Sequence, residues 1–358
     1  MKPVVVTLIL TFLILGCSKS QSPADATASI GTELMYFPPV ASATWDTKTA
    51  ASLGWNQSAV QPLLDYVGSK NTKAFIVLVN GRIVLENYFG STTSASNLYW
   101  ASAGKTLVAT TVGIAQENNL LNINSKVSTY LGVNWTSAPI AKENLITCKS
   151  LLSMTSGLDD TLGDDVAPAN LQYVADAGAR WAYHGVFVKL QDVVAAASGS
   201  TWNTYFNTKL RDRIGMDGNW VPLGNLSVYF STARSMARFG LLSLNKGNWN
   251  GTQIINQNYF TEATSTSQLI NPAYGYLWWL NGKATYHLPQ TQINFTGTLI
   301  PDAPNDMYMA LGKNDQKIYV VPSKNIVVIR LGDAAEASNF ALSTFDNLLW
   351  KKMNALYQ

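Results

Sequence analysis

Apolar and polar positions divide the chain into stretches of different period. "NQSAVQPLLDYVGSK" spaces its apolar residues as a helix does, and "AFIVLVNGRIVLENYF" follows it. The second segment is two runs rich in β-branched and aromatic residues flanking Asn80-Gly81, a dipeptide that favours a two-residue hairpin turn. From about 105 to 270 the pattern becomes mainly helical. "TLVATTVGIAQENNL" predicts a helix with Leu107, Thr111, Ile114 and Ala115 on one side. "VFVKLQDVVAAASG" and "STARSMARFGLLSLNKG" predict two more, each ended by a glycine. Strands return in "DMYMALG" and in "QKIYVVPSKNIVVIRLG", a hairpin about Pro322-Ser323-Lys324-Asn325, before a last helix in "ASNFALSTFDNLLWKKMNALY".

Strands at both ends and helices between them predict an α+β fold, with an antiparallel sheet built from both chain ends and flanked by helices. The α/β part is expected over about 46–105 and 285–358, and a helical part over about 106–284. No internal repeat interrupts this plan. The 358 residues suffice for one large domain or two closely packed ones.

Composition narrows the partners. Hydrophobic residues make up 47% and charged residues 13%, the balance of a well-packed globular protein. A net charge of +3 without a Lys/Arg cluster excludes nucleic acid as an expected partner. The opening "MKPVVVTLILTFLILGCSKS" has a basic start and an apolar run too short for a membrane span, so it reads as a signal peptide over 1–17. Ending at Gly16-Cys17, it resembles a bacterial lipoprotein signal. That resemblance implies lipidation of Cys17 and a lipid anchor in a membrane of the bacterial cell envelope, facing the periplasm or the cell surface. The Ser/Ala/Pro-rich stretch 18–45 reads as a tether. Cys148 is then the one remaining cysteine; it forms no intramolecular disulfide and reads as a small packed residue.

Elimination directs the search for chemistry. His184 and His287 are the two histidines, and neither HExxH nor CxxC occurs, so a His/Cys metal site is not expected. There is no G-x-S-x-G elbow and no phosphate-binding G-x-x-x-x-G-K-[ST] loop. A Ser-His-Asp triad would depend on one of those two histidines. A serine–lysine pair is the better candidate, and Ser-x-x-Lys occurs at Ser102/Lys105 and at Ser243/Lys246. The second precedes Gly247 at a helix end, where lysine complements the dipole, and is read as structural. Ser102 instead opens a long helix, and residues three apart project from one helix face. Burial and neighbouring positive charge favour a lysine's neutral amine, which can accept a proton. The same stretch also reads as an N-cap serine beside a solvated lysine. In "ADAGARWAYHG", Tyr183 is either a core aromatic or, as a phenolate beside a lysine, a general base.

Read together, the segments resemble the serine β-lactamase-related hydrolases, which include class C β-lactamases, D,D-peptidases, family VIII esterases and 6-aminohexanoate-dimer hydrolase. In order across about 50–335 run "WASAGKT", "LITCKSLLSMTSGLDD", "GARWAYHG", "ARFGLLSLNKGNWNG", "YGYLWWL" and "ALGKNDQKIYVVPSKNIVVIRLG". The resemblance implies that Ser102 is the acylated nucleophile and that Lys105 and Tyr183 are its base and acid pair. It places the oxyanion donors at the backbone N–H groups of Ser102 and Lys313, and substrate contacts at Ala310, Leu311 and Gly312. It implies neither metal nor organic cofactor. The expected reaction is hydrolysis of a small-molecule ester or amide through an acyl-enzyme.

The chain departs from the family pattern at informative places. Gly185 stands where many relatives have asparagine. Ala310 and Leu311 stand where β-lactamases have the lysine and threonine of Lys-Thr-Gly, side chains that help hold a substrate carboxylate and that an apolar pair cannot replace. The pattern therefore favours an esterase or amidase. A penicillin-binding D,D-peptidase or β-lactamase, and a non-catalytic envelope ligand-binding module, are the alternatives. Asp159 and Asp160 read first as turn residues. Trp100, Trp181, Trp278 and Trp279 read as core, with one or two lining an acyl pocket.

Overall fold

The computed structural model describes residue 1, residues 33–337 and residues 342–357. The expected signal peptide with Cys17, most of the expected tether and the start of the expected last helix lie outside the described residues. Leu34–Gln358 make up one structural unit, which holds every element described below.

After helix α1 (Val60–Ser69), strand β1 (Thr72–Val79) turns at Asn80-Gly81 into β2 (Arg82–Tyr88). Both turn residues take positive φ, 48° and 79°, as a turn matched to the strand twist requires. The short β3 (Leu98–Tyr99) then leads through a 3₁₀ turn, Ala101–Gly104, into helix α2 (Lys105–Glu117). Far along the chain, β4 (Asn219–Leu223) and β5 (Leu226–Ser231) form a hairpin that joins β3 in a three-stranded sheet ordered β3-β5-β4. Two ribbons come next, β6 (Asn248–Trp249) with β7 (Thr252–Gln253) and β9 (Thr285–Tyr286) with β10 (Phe295–Thr296). Between them in sequence lies β8 (Trp279–Leu280). The chain ends with β11 (Tyr308–Gly312), β12 (Gln316–Val321), β13 (Ile326–Gly332) and the helix Thr344–Ala355.

The main sheet has six antiparallel strands in the order β2-β1-β13-β12-β11-β8. Its centre joins the two ends of the domain, with Thr72 opposite Gly332 and Val79 opposite Ile326. This is the α+β, antiparallel architecture expected from the sequence. Both faces are covered, and every residue of β12 and β13 is buried. Val327 and Ile329 meet the helix Ala233–Leu244, where a Cβ on Gly240 would lie 2.5 Å from Val327 Cγ1. Arg330, on the opposite face, lies 5.4 Å from the Phe345 ring on the final helix.

The stretch 106–284, expected as mainly helical, also supplies β4, β5 and the sheet-edge strand β8. Two expectations need correction. Helix α2 has no single apolar side, because Lys105 to Ala115 are all buried. Its threonines tolerate this by returning their hydroxyls to carbonyls, Thr110 to Thr106 at 2.9 Å and Thr111 to Leu107 at 2.7 Å. Residues 34–45 are not a loose tether but a strap on the domain. Tyr36 N donates to Asn80 O at 2.9 Å, Trp45 Nε1 donates to Gly81 O at 2.7 Å, and Arg238 donates to the carbonyls of Pro39 and Ser42. Among the described residues no helix is long and apolar enough to cross a membrane.

Candidate active site

Ser102 sits on the 3₁₀ turn, ahead of that turn's first backbone hydrogen bond, Ala103 N to Trp100 O. Its N–H therefore has no partner within the turn. Ala101, just before it, takes φ 48°, a left-handed conformation costing an alanine about 1–2 kcal/mol. The turn is held in that shape from behind. Trp100 N donates to Tyr229 O at 2.9 Å and Trp100 Nε1 to Ser231 Oγ at 2.8 Å, so β5 fixes the approach to Ser102.

One helical turn on, Lys105 Nζ donates to Ser102 Oγ at 2.6 Å. Lys105 is only 3% exposed. Its Nζ lies 4.4 Å from the Phe187 ring centroid and 4.7 Å from that of Tyr183. Two aromatic faces thus hold the head group against Ser102. Tyr183 is itself buried among aromatics, 5.7 Å from Trp279 and 6.0 Å from Tyr274. The structure so gathers Ser102, Lys105 and Tyr183 in one place, with the tyrosine reaching Nζ through its ring.

Lys313 follows the last paired residue of β11, where Gly312 faces Gln316. Gly312 has an ordinary extended φ of −128°, so conformational freedom is not why glycine is there. A Cβ on it would lie 2.5 Å from Trp100 O and 3.0 Å from Ala103 N. The space goes to the Ser102 turn, which the end of β11 touches backbone to backbone. Ala310 and Leu311, expected as substrate contacts, are 1% and 2% exposed. Neither they nor Gly312 form part of the cavity wall at Ser102.

That cavity has a volume of about 300 Å³, and Ser102, Lys105 and Lys313 open onto it. Its apolar wall is made by Phe187, Trp220, Leu223, Leu226 and Val228, with the exposed Asp164 at the rim. The four tryptophans expected mainly as core are buried, and none of them lines this cavity. Trp220 lines it instead, and sequence reasoning missed it because its hairpin lay unassigned within a stretch read only as mainly helical. The missed signal was the alternation in "NWVPLGNLSVYF" about Gly224-Asn225. A larger cavity, about 660 Å³, lies between the 40–45 strap and the helix starting at Ala233. Its two arginines are already engaged, Arg234 by Glu86 at 2.7 and 2.8 Å and Arg238 by backbone carbonyls.

Gly185 explains one departure from the family pattern. A Cβ there would lie 2.3 Å from Asp164 O. The loop carrying Asp164 passes where a side chain would stand, and Asn225 Nδ2 ties the neighbouring Asp165 to the β4–β5 hairpin. His184, beside Tyr183, is 1% exposed, and its Nε2 lacks a partner among the described residues. Burial, helped by the nearby Lys105 and Arg180 charges, lowers its pKa to about 4 against the pull of Asp160 and Asp164. The imidazole is therefore neutral at neutral pH, and neither His184 nor His287 bonds Ser102. Asp159 accepts from Thr161 N at 2.8 Å as the turn residue expected, whereas Asp160 is fully buried and pairs with Arg180 at 2.6 Å. Cys148 is buried and free. Ser243, of the second Ser-x-x-Lys, returns its hydroxyl to Phe239 O at 2.8 Å.

The β-lactamase family model matches residues 68–339. An uncharacterized protein of Alkalihalophilus pseudofirmus is 26% identical, the match covering 77% of this chain and 86% of that protein. Among solved structures, a Bacillus anthracis protein designated a 6-aminohexanoate-dimer hydrolase is similar at TM-score 0.66 and 18% identity, over 90% of this chain and 89% of that one. A β-lactamase of Mycobacterium bovis is similar at 0.61 and 18%, over 82% and 99%. EstCE1, a hydrolase with promiscuous acyltransferase activity, is similar at 0.63 and 14%, over 86% and 99%. These structures establish the fold, and the family model spans both the Ser102 turn and the β11 strand facing it. The chain belongs to the β-lactamase family, a family of serine hydrolases.

Proposed function

We propose that this protein hydrolyses esters or amides of uncharged, apolar acyl groups through an acyl-enzyme on Ser102. The observation that carries the reading is the buried Lys105 Nζ, 2.6 Å from Ser102 Oγ and enclosed by two aromatic rings. Oγ attacks the carbonyl carbon and its proton passes to the Lys105–Tyr183 pair. The backbone N–H groups of Ser102 and Lys313 receive the oxyanion, an arrangement in which one donor is worth about 3–4 kcal/mol. The pair returns the proton to the departing alcohol or amine. Water then attacks the acyl-enzyme by the same route, freeing the acid. Removing one member of such a pair costs about 10²–10⁴ in rate.

The apolar wall of Phe187, Trp220, Leu223, Leu226 and Val228 supports an apolar acyl group, and about 300 Å³ is at the small end for a ligand site. The buried Ala310 and Leu311 offer no hydrogen bond from β11 side chains to a substrate carboxylate, which favours simple esters or amides over β-lactams. The leader ending at Cys17 supports action in the cell envelope.

The test is intact-mass spectrometry of the chain from residue 33 onward, treated with a fluorophosphonate and with p-nitrophenyl butyrate. One adduct on wild type, absent from Ser102→Ala and strongly slowed in Lys105→Ala, supports the reading. A folded wild-type protein that takes no adduct from either reagent overturns it and leaves a ligand-binding module. Efficient nitrocefin turnover would move the assignment to a β-lactamase.

A further inference from the structure

We propose that Arg330, buried beneath the main sheet and absent from the cavity wall, is a positioning residue for the Lys313 oxyanion donor. The inference rests on the acyl-enzyme reading above. The turn after Lys313 is strained. Asn314 and Asp315 are consecutive non-glycine residues at φ 60° and 59°, each costing about 1 kcal/mol or more. Such a turn persists only if its surroundings hold it, and the direction of the Lys313 N–H depends on its shape.

Arg330 supplies much of the hold. Its Nη1 donates to Asn314 O at 2.8 Å and to Asp315 O at 3.0 Å. Its other donors reach rigid points: Nε to Thr72 Oγ1 at 3.1 Å, and Nη2 to Lys70 O at 2.8 Å and Asp333 O at 2.7 Å. All five guanidinium N–H groups are thus used. They join the strained turn to the start of β1 and the end of β13, the centre of the sheet. Gln316 grips the same turn from the other side. Its Nε2 donates to Asn314 O at 3.0 Å and to Gly332 O at 2.6 Å, while Oε1 accepts from Gly332 N at 3.1 Å. Asn314 Nδ2 in turn reaches the Tyr99 hydroxyl at the cavity wall.

Burying a guanidinium costs several kcal/mol before its hydrogen bonds offset it, and an apolar residue covers a sheet more cheaply. Arg330 is fully buried, with the carboxylates of Asp315, Asp346 and Asp333 near enough to act on its charge, and it spends four of its five donors on backbone carbonyls and the fifth on Thr72 Oγ1. What it adds beyond packing is the fixed geometry of the Lys313 turn against the Ser102 turn.

The experiment compares Arg330→Lys, Gln316→Met and, as a control, Arg238→Lys. Arg238 is likewise a buried guanidinium that binds backbone carbonyls, but those of the 38–42 strap and Ile214. Each folded variant is assayed for acylation and KM with p-nitrophenyl butyrate, and for affinity toward phenylboronic acid and butyrate. The boronic acid reports the oxyanion site: Ser102 Oγ adds to boron, its proton leaves through the base, and the tetrahedral boronate carries the negative charge. The expected result is that Arg330→Lys and Gln316→Met lose about 10- to 100-fold in acylation and in boronate affinity. KM and butyrate affinity should stay within about threefold, and Arg238→Lys should lose stability without that split. Should Arg330→Lys not fold, Gln316→Met alone carries the test, since it contacts the same turn. Wild-type boronate affinity in the folded variants, or an equal loss in Arg238→Lys, overturns the inference. No acyl adduct on wild type overturns the acyl-enzyme reading itself.

Discussion

Replacing Gly312 by alanine adds one carbon where the end of β11 crowds the Ser102 turn. That carbon would lie 2.5 Å from Trp100 O, 3.0 Å from Ala103 N and 3.1 Å from Gln316 Cβ. Ordinary contact begins near 3.4 Å, so β11 and the Ser102 turn must part by about 0.9 Å, the difference between 3.4 and 2.5. Alanine suits the local φ of −128°, which leaves steric contact as the whole effect. Overpacking of this kind costs about 1–3 kcal/mol of stability. Its effect on rate is expected to be larger, because the two proposed oxyanion donors sit on the two segments being pushed apart. A shift of about 1 Å costs about 10²-fold, near 2.7 kcal/mol of barrier. Stopped-flow acylation with p-nitrophenyl butyrate, with thermal unfolding alongside, measures both. Gly240→Ala is the control: its new carbon would lie 2.5 Å from Val327 Cγ1, between helix and sheet and away from the cavity. It should lower the melting temperature while leaving acylation unchanged. Gly312→Ala with a wild-type acylation rate, or equal rate losses in both variants, would refute the reasoning.

Lys105→Met should fold, because an apolar chain suits the space between Tyr183 and Phe187, yet acylate about 10²–10⁴-fold more slowly; rapid quench with mass spectrometry measures this. His184 should make the fold acid-sensitive. The unfolded imidazole titrates near 6.5 and the folded one near 4, so the unfolded chain binds more protons in that window and stability falls as pH drops through it. His184→Gln should reduce the stability difference between pH 7 and pH 4.5 by about 2 kcal/mol in denaturant titrations; an unchanged difference counts against a buried neutral imidazole. Gly185→Asn should destabilise by about 1–3 kcal/mol and free the 161–167 loop, because its Cβ would lie 2.3 Å from Asp164 O; limited proteolysis reports cleavage there. Leu223→Trp should lower kcat/KM for octanoyl esters about tenfold or more relative to acetyl esters; an unaltered chain-length profile would show that the acyl group binds elsewhere.

Features set by neighbours within one or two turns of chain were legible in the sequence. Asn80-Gly81 demands the positive φ values found there, and Gly199 closes its helix at φ 65°. The three-residue spacing of Ser102 and Lys105 is a property of helix geometry, and the 2.6 Å contact follows from it. The paired strands at the two chain ends were legible too, because β-branched runs bounded by turn residues announce themselves locally. Periodicity failed where tertiary burial overrides it. Helix α2 is enclosed on all sides, so its threonines carry no mark of a polar face.

Only the tertiary structure decided what the candidate site is. Residue type does not tell which apolar surface a leucine covers, so the wall made by Trp220, Leu223 and Leu226 could not be read from a hairpin more than 100 residues beyond Ser102. The resemblance singled out Gly185 as a departure and Gly312 as a substrate contact, but the reason for a glycine at each is another segment's backbone in the space of a side chain. Arg330 showed no sequence signal at all. Its task is to satisfy carbonyls that include ones 15 and 260 residues away along the chain. Local propensity encodes hydrogen bonds made within a few residues, whereas long-range carbonyls acquire their partners only when the chain ends meet in the sheet.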